Sequence, residues 1–207
     1  MPIQNNAKSA KFDRGLDSLA RIQFVFLDRD GVLNRKLPEG QFVTRRELLE
    51  LLPGAAKAIA KLNCCRLTVI LITNQRAIGL GLFTESELTQ LHKEMQKELA
   101  AEGAHIDAIY WCPHDPSQQT CKCRKPETGL LEQAIRDFPS VSEDNSLVIG
   151  DSLPDIDAGS RMGMYTIYIE GEAANRKPGG DKAAALADAI AHSLEEAVDR
   201  LLTFLSP

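Results

Sequence analysis

Apolar residues occur along this chain in two rhythms: short runs with few polar breaks, and longer stretches in which they return every three or four positions. The runs are IQFVFL (22–27), LTVILIT (67–73), IDAIYW (106–111), LVIG (147–150) and MYTIYI (164–169). Runs of this length without strict alternation predict strands buried on both faces, as in a parallel sheet. The longer stretches predict helices over 55–62, from Thr84 to about Ala101, over 129–138 and over about 154–162. Pro53 suits the first turn of the first helix, where no hydrogen bond is lost. Thr84 with Glu87 is a capping box, and Ser193 with Glu196 caps a closing helix in the same way. Residues 171–182 read as loop, and residues 1–20 as a poorly ordered or weakly helical leader. Strands alternating with helices predict an α/β domain with a doubly wound, mainly parallel sheet, running as a single domain over 21–207.

Composition narrows the classes of function. Of 207 residues, 43% are hydrophobic and 26% charged, an ordinary balance for a globular domain. The formal net charge is −5, so no global basic field attracts nucleic acid or a membrane surface. No apolar run approaches the roughly 20 residues that a membrane span needs, and the first twenty residues lack the apolar centre of a secretory signal. A cytoplasmic monomer that acts on a small molecule is expected.

In a doubly wound sheet, ligands bind beyond the carboxyl ends of the strands, so the residues there carry the chemistry. They are Asp28 and Asp30 in FLDRDGVLN (26–34), Thr73 and Asn74 after the second run, and Asp151 after the fourth, with Asp155 four positions on. Lys125, in CRKPE, stands just ahead of a helix. Each has a plain explanation alone: a solvated turn, a strand end, a surface cation, or an acid suited to a helix dipole. Together they supply a carboxylate nucleophile, a cage for a cation and donors for phosphoryl oxygens. Two carboxylates this close are costly unless a cation lies between them or one keeps its proton, and Gly31 lets the chain turn away sharply.

The loop CPHDPSQQTCKC (112–123) holds Cys112, His114, Cys121 and Cys123. Four soft or borderline ligands with no open position describe a structural zinc site, since a catalytic zinc keeps a position for water. Zinc there would pin an insert beside the strand ends and present Arg124 and Lys125, which follow directly. Cys64 and Cys65 read as small buried thiols. His92, His105 and His192 read as surface or core residues, and Trp111 as packing beside the loop.

The motifs DRDGV (28–32), IT (72–73), Lys125 and GDSLPD (150–155) resemble, in that order, those of the haloacid dehalogenase superfamily of phosphohydrolases, over about residues 22–170. The resemblance implies a Rossmann-like fold with a zinc-bound insert and no large cap domain. It implies that Asp28 attacks phosphorus to form an aspartyl-phosphate, that Asp30 is general acid and then base, and that Thr73 and Lys125 stabilise the phosphoryl group. It places catalytic Mg²⁺ on Asp28, Asp151 and the backbone carbonyl of Asp30, hard oxygen donors that suit magnesium better than zinc. Within the superfamily, DRDG, TNQ and CRKP resemble the subgroup of heptose bisphosphate and histidinol-phosphate phosphatases. TNQRAIGLGLFTESEL (73–88) favours the heptose enzymes, which remove a C7 phosphate, although Ala77 and Leu80 stand where those have glycine and arginine. Histidinol phosphate or another small sugar phosphate is the alternative substrate. Arg124 is the expected contact for the remote phosphate, with Asn74, Gln75 and Arg76 as further substrate contacts. An inactive zinc-stabilised binding protein is a distant alternative, and the presence of every motif residue speaks against it.

Overall fold

The computed structural model describes residues 19–171 and 178–205. All but Leu19 and Ala20 of the expected leader, and residues 172–177 of the expected loop, lie outside the described residues. Each of the five apolar runs forms a strand: β1 (Phe24–Leu27), β2 (Thr68–Asn74), β3 (Ala108–Cys112), β4 (Ser146–Gly150) and β5 (Tyr165–Ile169). A sixth, β6 (Ala189–Ala191), follows, and all neighbours pair in parallel in the order β3-β2-β1-β4-β5-β6. The helices are α1 (Ala55–Cys64), α2 (Arg76–Gly79), α3 (Glu85–Ala101), α4 (Gly129–Asp137), α5 (Leu153–Arg161), α6 (Gly180–Leu186) and α7 (Leu194–Leu205).

The two-residue period of the strands divides the core. Val25, Leu27, Val69, Leu71, Leu147 and Ile149 face one way, onto Ile59 and Leu62 of α1, Leu88 and Leu91 of α3, and Val198 of α7. Phe24, Phe26, Ile70, Ile72 and Val148 face the other way, onto Leu130, Leu131 and Ala134 of α4 and Ala158 of α5. Both faces are covered, which is why the runs carry no polar alternation.

Local signals set the helix ends. Thr84 accepts a hydrogen bond from the Glu87 backbone N–H at 3.2 Å while Glu87 accepts one from the Thr84 backbone N–H at 2.8 Å. Ser193 accepts from the Glu196 backbone N–H at 3.1 Å. Several expectations need correction. Pro53 lies before α1, whose N-cap is Gly54. The expected loop 171–182 runs into α6, and Leu19 belongs to the core, not to a leader. Cys64 and Cys65, at the carboxyl end of α1, are exposed instead of buried, because the helix turns its apolar face away from them toward the sheet.

The chain leaves β1 toward β2 and β3, then returns to lay β4 on the other side of β1. That reversal opens a crevice beyond the carboxyl ends of β1 and β4, where Asp28 and Asp151 follow their strands. Between β1 and α1 the chain forms a short two-armed flap, joined by hydrogen bonds from Arg35 N to Glu50 O at 2.7 Å and from Leu52 N to Leu33 O at 3.0 Å. Among the described residues no separate cap domain stands over the crevice, and no helix is long and apolar enough to cross a membrane.

Candidate active site

Parallel pairing brings the strand ends together. The Asp28 backbone N–H donates to Ile149 O at 3.0 Å, locking the end of β1 to that of β4. Oδ1 of Asp28 accepts from Nζ of Lys125 at 2.8 Å, and the same ammonium reaches Asp155 Oδ1 at 2.6 Å and Ile72 O at 2.7 Å. All three charged side chains are buried. Burial works against the charge on Lys125, but the carboxylates of Asp155 and Asp28 outweigh it and raise its pKa above the ordinary lysine value. The ammonium is therefore a fixed positive charge in the crevice. Asp155 itself accepts from Ser152 Oγ.

Carboxylate oxygens of Asp28, Asp151 and Asp155 lie within 4.8 Å of one another. Three acids so close call for more positive charge than one ammonium brings, and oxygen donors alone suit Mg²⁺. Gly31 makes room for this cluster: its φ is +99°, and a β-carbon there would meet the Asp151 carboxylate.

Asp30 points elsewhere. Its carboxylate accepts from Arg29 Nη2 at 2.9 and 3.1 Å, from Asn34 Nδ2 at 3.0 Å and from Gln75 Nε2 at 3.2 Å. Burial alone would raise this carboxyl, yet Arg29 and the hydrogen bonds from Asn34 and Gln75 hold it below the usual carboxylate range. It stands outside the three-carboxylate cluster, so only its backbone carbonyl is left for the metal contact expected of it. Arg29 is itself 1% exposed, and its Nη1 lies 3.3 Å from Nε2 of His92. Burial and the neighbouring guanidinium lower the His92 pKa to about 3, so the imidazole is neutral. Sequence reasoning passed over Arg29 and read His92 as a surface or core residue. The signal was there for Arg29, a charge inside a motif that follows a fully buried strand.

The expected phosphate and substrate contacts divide. Thr73 is buried at the end of β2, and its Oγ1 accepts from Gln75 Nε2 at 2.8 Å. Gln75 thus ties Thr73 to Asp30. Asn74 embraces the backbone of Lys125: its Nδ2 donates to the carbonyl at 3.1 Å and its Oδ1 accepts from the amide at 3.1 Å. Arg76 is engaged with buried Asp115 of the cysteine loop, Nε to Oδ1 at 2.7 Å. Arg124 is half-buried and reaches His114 O at 3.5 Å. Segment 74–79 therefore reads the cysteine loop more than open space. Gly79 is so near that a β-carbon would stand 2.5 Å from the Asp115 nitrogen.

Cys112, His114, Cys121 and Cys123 do converge. Sγ of Cys112 lies 3.6 Å from Cys121 Sγ, 3.1 Å from Cys123 Sγ and 3.6 Å from His114 Nδ1, and His114 Nδ1 lies 3.1 Å from Cys123 Sγ. A tetrahedral zinc with bonds of about 2.3 Å to sulfur sets its ligands roughly 3.8 Å apart, so a small expansion accommodates it. Burial and hydrogen bonding with Cys123 push the Cys112 thiol up; a divalent cation would be needed to hold the three thiols as thiolates.

Comparisons with known proteins decide the family. A D-glycero-alpha-D-manno-heptose-1,7-bisphosphate 7-phosphatase of Mycobacterium bovis is 37% identical over 172 residues, 83% of this chain and 87% of its own length. The chain belongs to the haloacid dehalogenase (HAD) family of hydrolases. A D-glycero-beta-D-manno-heptose-1,7-bisphosphate 7-phosphatase of Rhodopseudomonas palustris is 38% identical over 161 residues, 75% of this chain and 87% of its own length. The HAD-hydrolase-like family model matches residues 122–197. Among solved structures, the D,D-heptose 1,7-bisphosphate phosphatase of B. bronchiseptica, complexed with magnesium and phosphate, superposes with a TM-score of 0.77 at 32% identity, covering 88% of this chain and 99% of that one. This HAD protein is a phosphatase, and its parallel sheet with flanking helices is the fold that the motifs implied.

Proposed function

We propose that this phosphatase removes the C7 phosphate of D-glycero-D-manno-heptose 1,7-bisphosphate through an aspartyl-phosphate on Asp28. The observation that carries the substrate is the agreement of relatives named for that reaction across most of both chains. The chemistry rests on Asp28, Lys125 and Asp151 meeting at the switch point of the sheet.

A carboxylate oxygen of Asp28 attacks phosphorus while the bond from phosphorus to the C7 oxygen breaks. Asp30, having first taken a proton from solvent, passes it to that oxygen, so the sugar leaves as a neutral alcohol; a carboxyl held below its usual range gives the proton up readily. A water molecule then attacks the phosphorus of the acyl phosphate, Asp30 takes its proton, and the bond from Asp28 to phosphorus breaks to release inorganic phosphate. The Lys125 ammonium and the Thr73 hydroxyl face the phosphoryl oxygens, where charge is spread in the transition state. Asp28, Asp151 and the Asp30 carbonyl would hold Mg²⁺, which supplies further positive charge to those oxygens. Cys112, His114, Cys121 and Cys123 would hold a structural zinc that keeps Arg124 and Lys125 in place, with Arg124 turned to the C1 phosphate.

The test is phosphate release with Mg²⁺ from both anomers of heptose 1,7-bisphosphate, from fructose 1,6-bisphosphate and from histidinol phosphate. The highest kcat/KM should belong to a heptose anomer. A higher value for histidinol phosphate or fructose 1,6-bisphosphate would overturn the substrate and leave the chemistry standing.

A further inference from the structure

We propose that His92 is a positioning residue for the proton transfers of Asp30 and acts through the guanidinium of Arg29. The proposal rests on the reading that Asp30 is the general acid and base.

Arg29 is a buried cation whose side chain, among the described residues, meets Asp30 and His92. Its Nε and Nη2 edge meets Asp30, with Nη2 at 2.9 Å from Oδ2, and its Nη1 points the other way, 3.3 Å from His92 Nε2. A guanidinium is flat and its five N–H groups form a rigid fork. Fixing one end of the fork fixes the other, and hence the plane of the Asp30 carboxylate. His92 offers what the free end requires, a ring nitrogen with a lone pair. Neutral imidazole can accept at Nε2 only with its proton on Nδ1, and among the described residues Nδ1 has no hydrogen-bond partner. A histidine chosen for packing alone would gain nothing from leaving that polar atom unsatisfied. The ring is steadied by α3, which carries it, and by the edge of Trp111, whose centroid lies 5.9 Å away at 60°.

Leaving-group acidity separates proton donation from mere folding. Esters with poor leaving groups need the proton from Asp30, whereas p-nitrophenyl phosphate expels a stable anion without it. kcat/KM is measured on the full chain with Mg²⁺ for a series of aryl phosphates from phenyl to p-nitrophenyl. His92→Phe keeps bulk and removes the acceptor, and His92→Leu repeats the test with a smaller side chain. Each should lose about tenfold on phenyl phosphate and no more than about twofold on p-nitrophenyl phosphate. His92→Gln, which keeps an acceptor, should restore most of the loss, and Asp30→Asn should show the steepest dependence of all. An equal loss across the series in His92→Phe and His92→Leu, or a glutamine that rescues nothing, overturns the proposal. An equal loss across the series in Asp30→Asn overturns the acid assignment, and the proposal with it.

Discussion

Asp28 shares the Lys125 ammonium with Asp155 while Asp151 stands close by, so three carboxylates crowd one cation. Asn at position 28 has the size of Asp but no nucleophilic oxygen of comparable strength. Asp28→Asn should therefore lower kcat by about a thousandfold or more. Its melting temperature in Mg²⁺-free buffer should hold or rise, because one of three repelling charges is gone. Phosphate release at the parent rate would sink the covalent scheme. His92 carries a different prediction. Its pKa falls from 6.5 to about 3 in the folded chain, so the unfolded chain binds the extra proton first as pH drops. The stability it contributes is whole above pH 6.5 and is lost as pH falls toward 3, by up to about 1.4 kcal/mol per pH unit. Denaturant unfolding of His92→Gln between pH 7 and 4 should give a shallower acid limb than the parent; identical limbs would count against a neutral buried imidazole.

At the scale of elements, the cysteine loop and the segment 74–79 form one unit. Asn74 holds the Lys125 backbone, the Gln75 N–H donates to Cys112 O at 2.8 Å, and Arg76 pairs with Asp115. The position of the Lys125 ammonium thus depends on both segments. Cys121→Ser should reduce bound zinc, lower the melting temperature and lower kcat together, because a loosened loop no longer seats Lys125. An unchanged zinc content with unchanged melting would refute the structural-zinc reading. From sequence, Asn74, Gln75 and Arg76 read as substrate contacts, since they follow a strand where ligands bind. The side-chain partners of Asn74 and Arg76 lie in or just after the cysteine loop, 51 and 39 positions on, and spacing within a motif carries no information about so distant a contact; the Gln75 side chain turns to Thr73 and Asp30.

For the whole molecule, the two proposed metal sites should separate by what their loss does. Mg²⁺ would sit where ligands converge on substrate, while zinc would close a loop on itself. Removing Mg²⁺ with a mild chelator should stop phosphate release and shift the melting temperature little. Stripping zinc should lower the melting temperature even with Mg²⁺ restored. Equal effects of both treatments on melting would mean that the cysteine cluster does not brace the fold. What the sequence determined by itself was the fold class, the five long strands and the chemical candidates, because periodicity, caps and strand-end residues act over a few positions. Periodicity alone does not mark β6, whose three residues carry too short a pattern to stand out; only the likeness of residues 186–200 to the closing strand and helix of the heptose enzymes points to it. The tertiary structure decided which candidates face one another. Asp30 turned from the acid cluster to Arg29, and His92, 63 positions from Arg29, came to complete that pair. Such contacts depend on how helices pack against the sheet, and packing is a property of the assembled core.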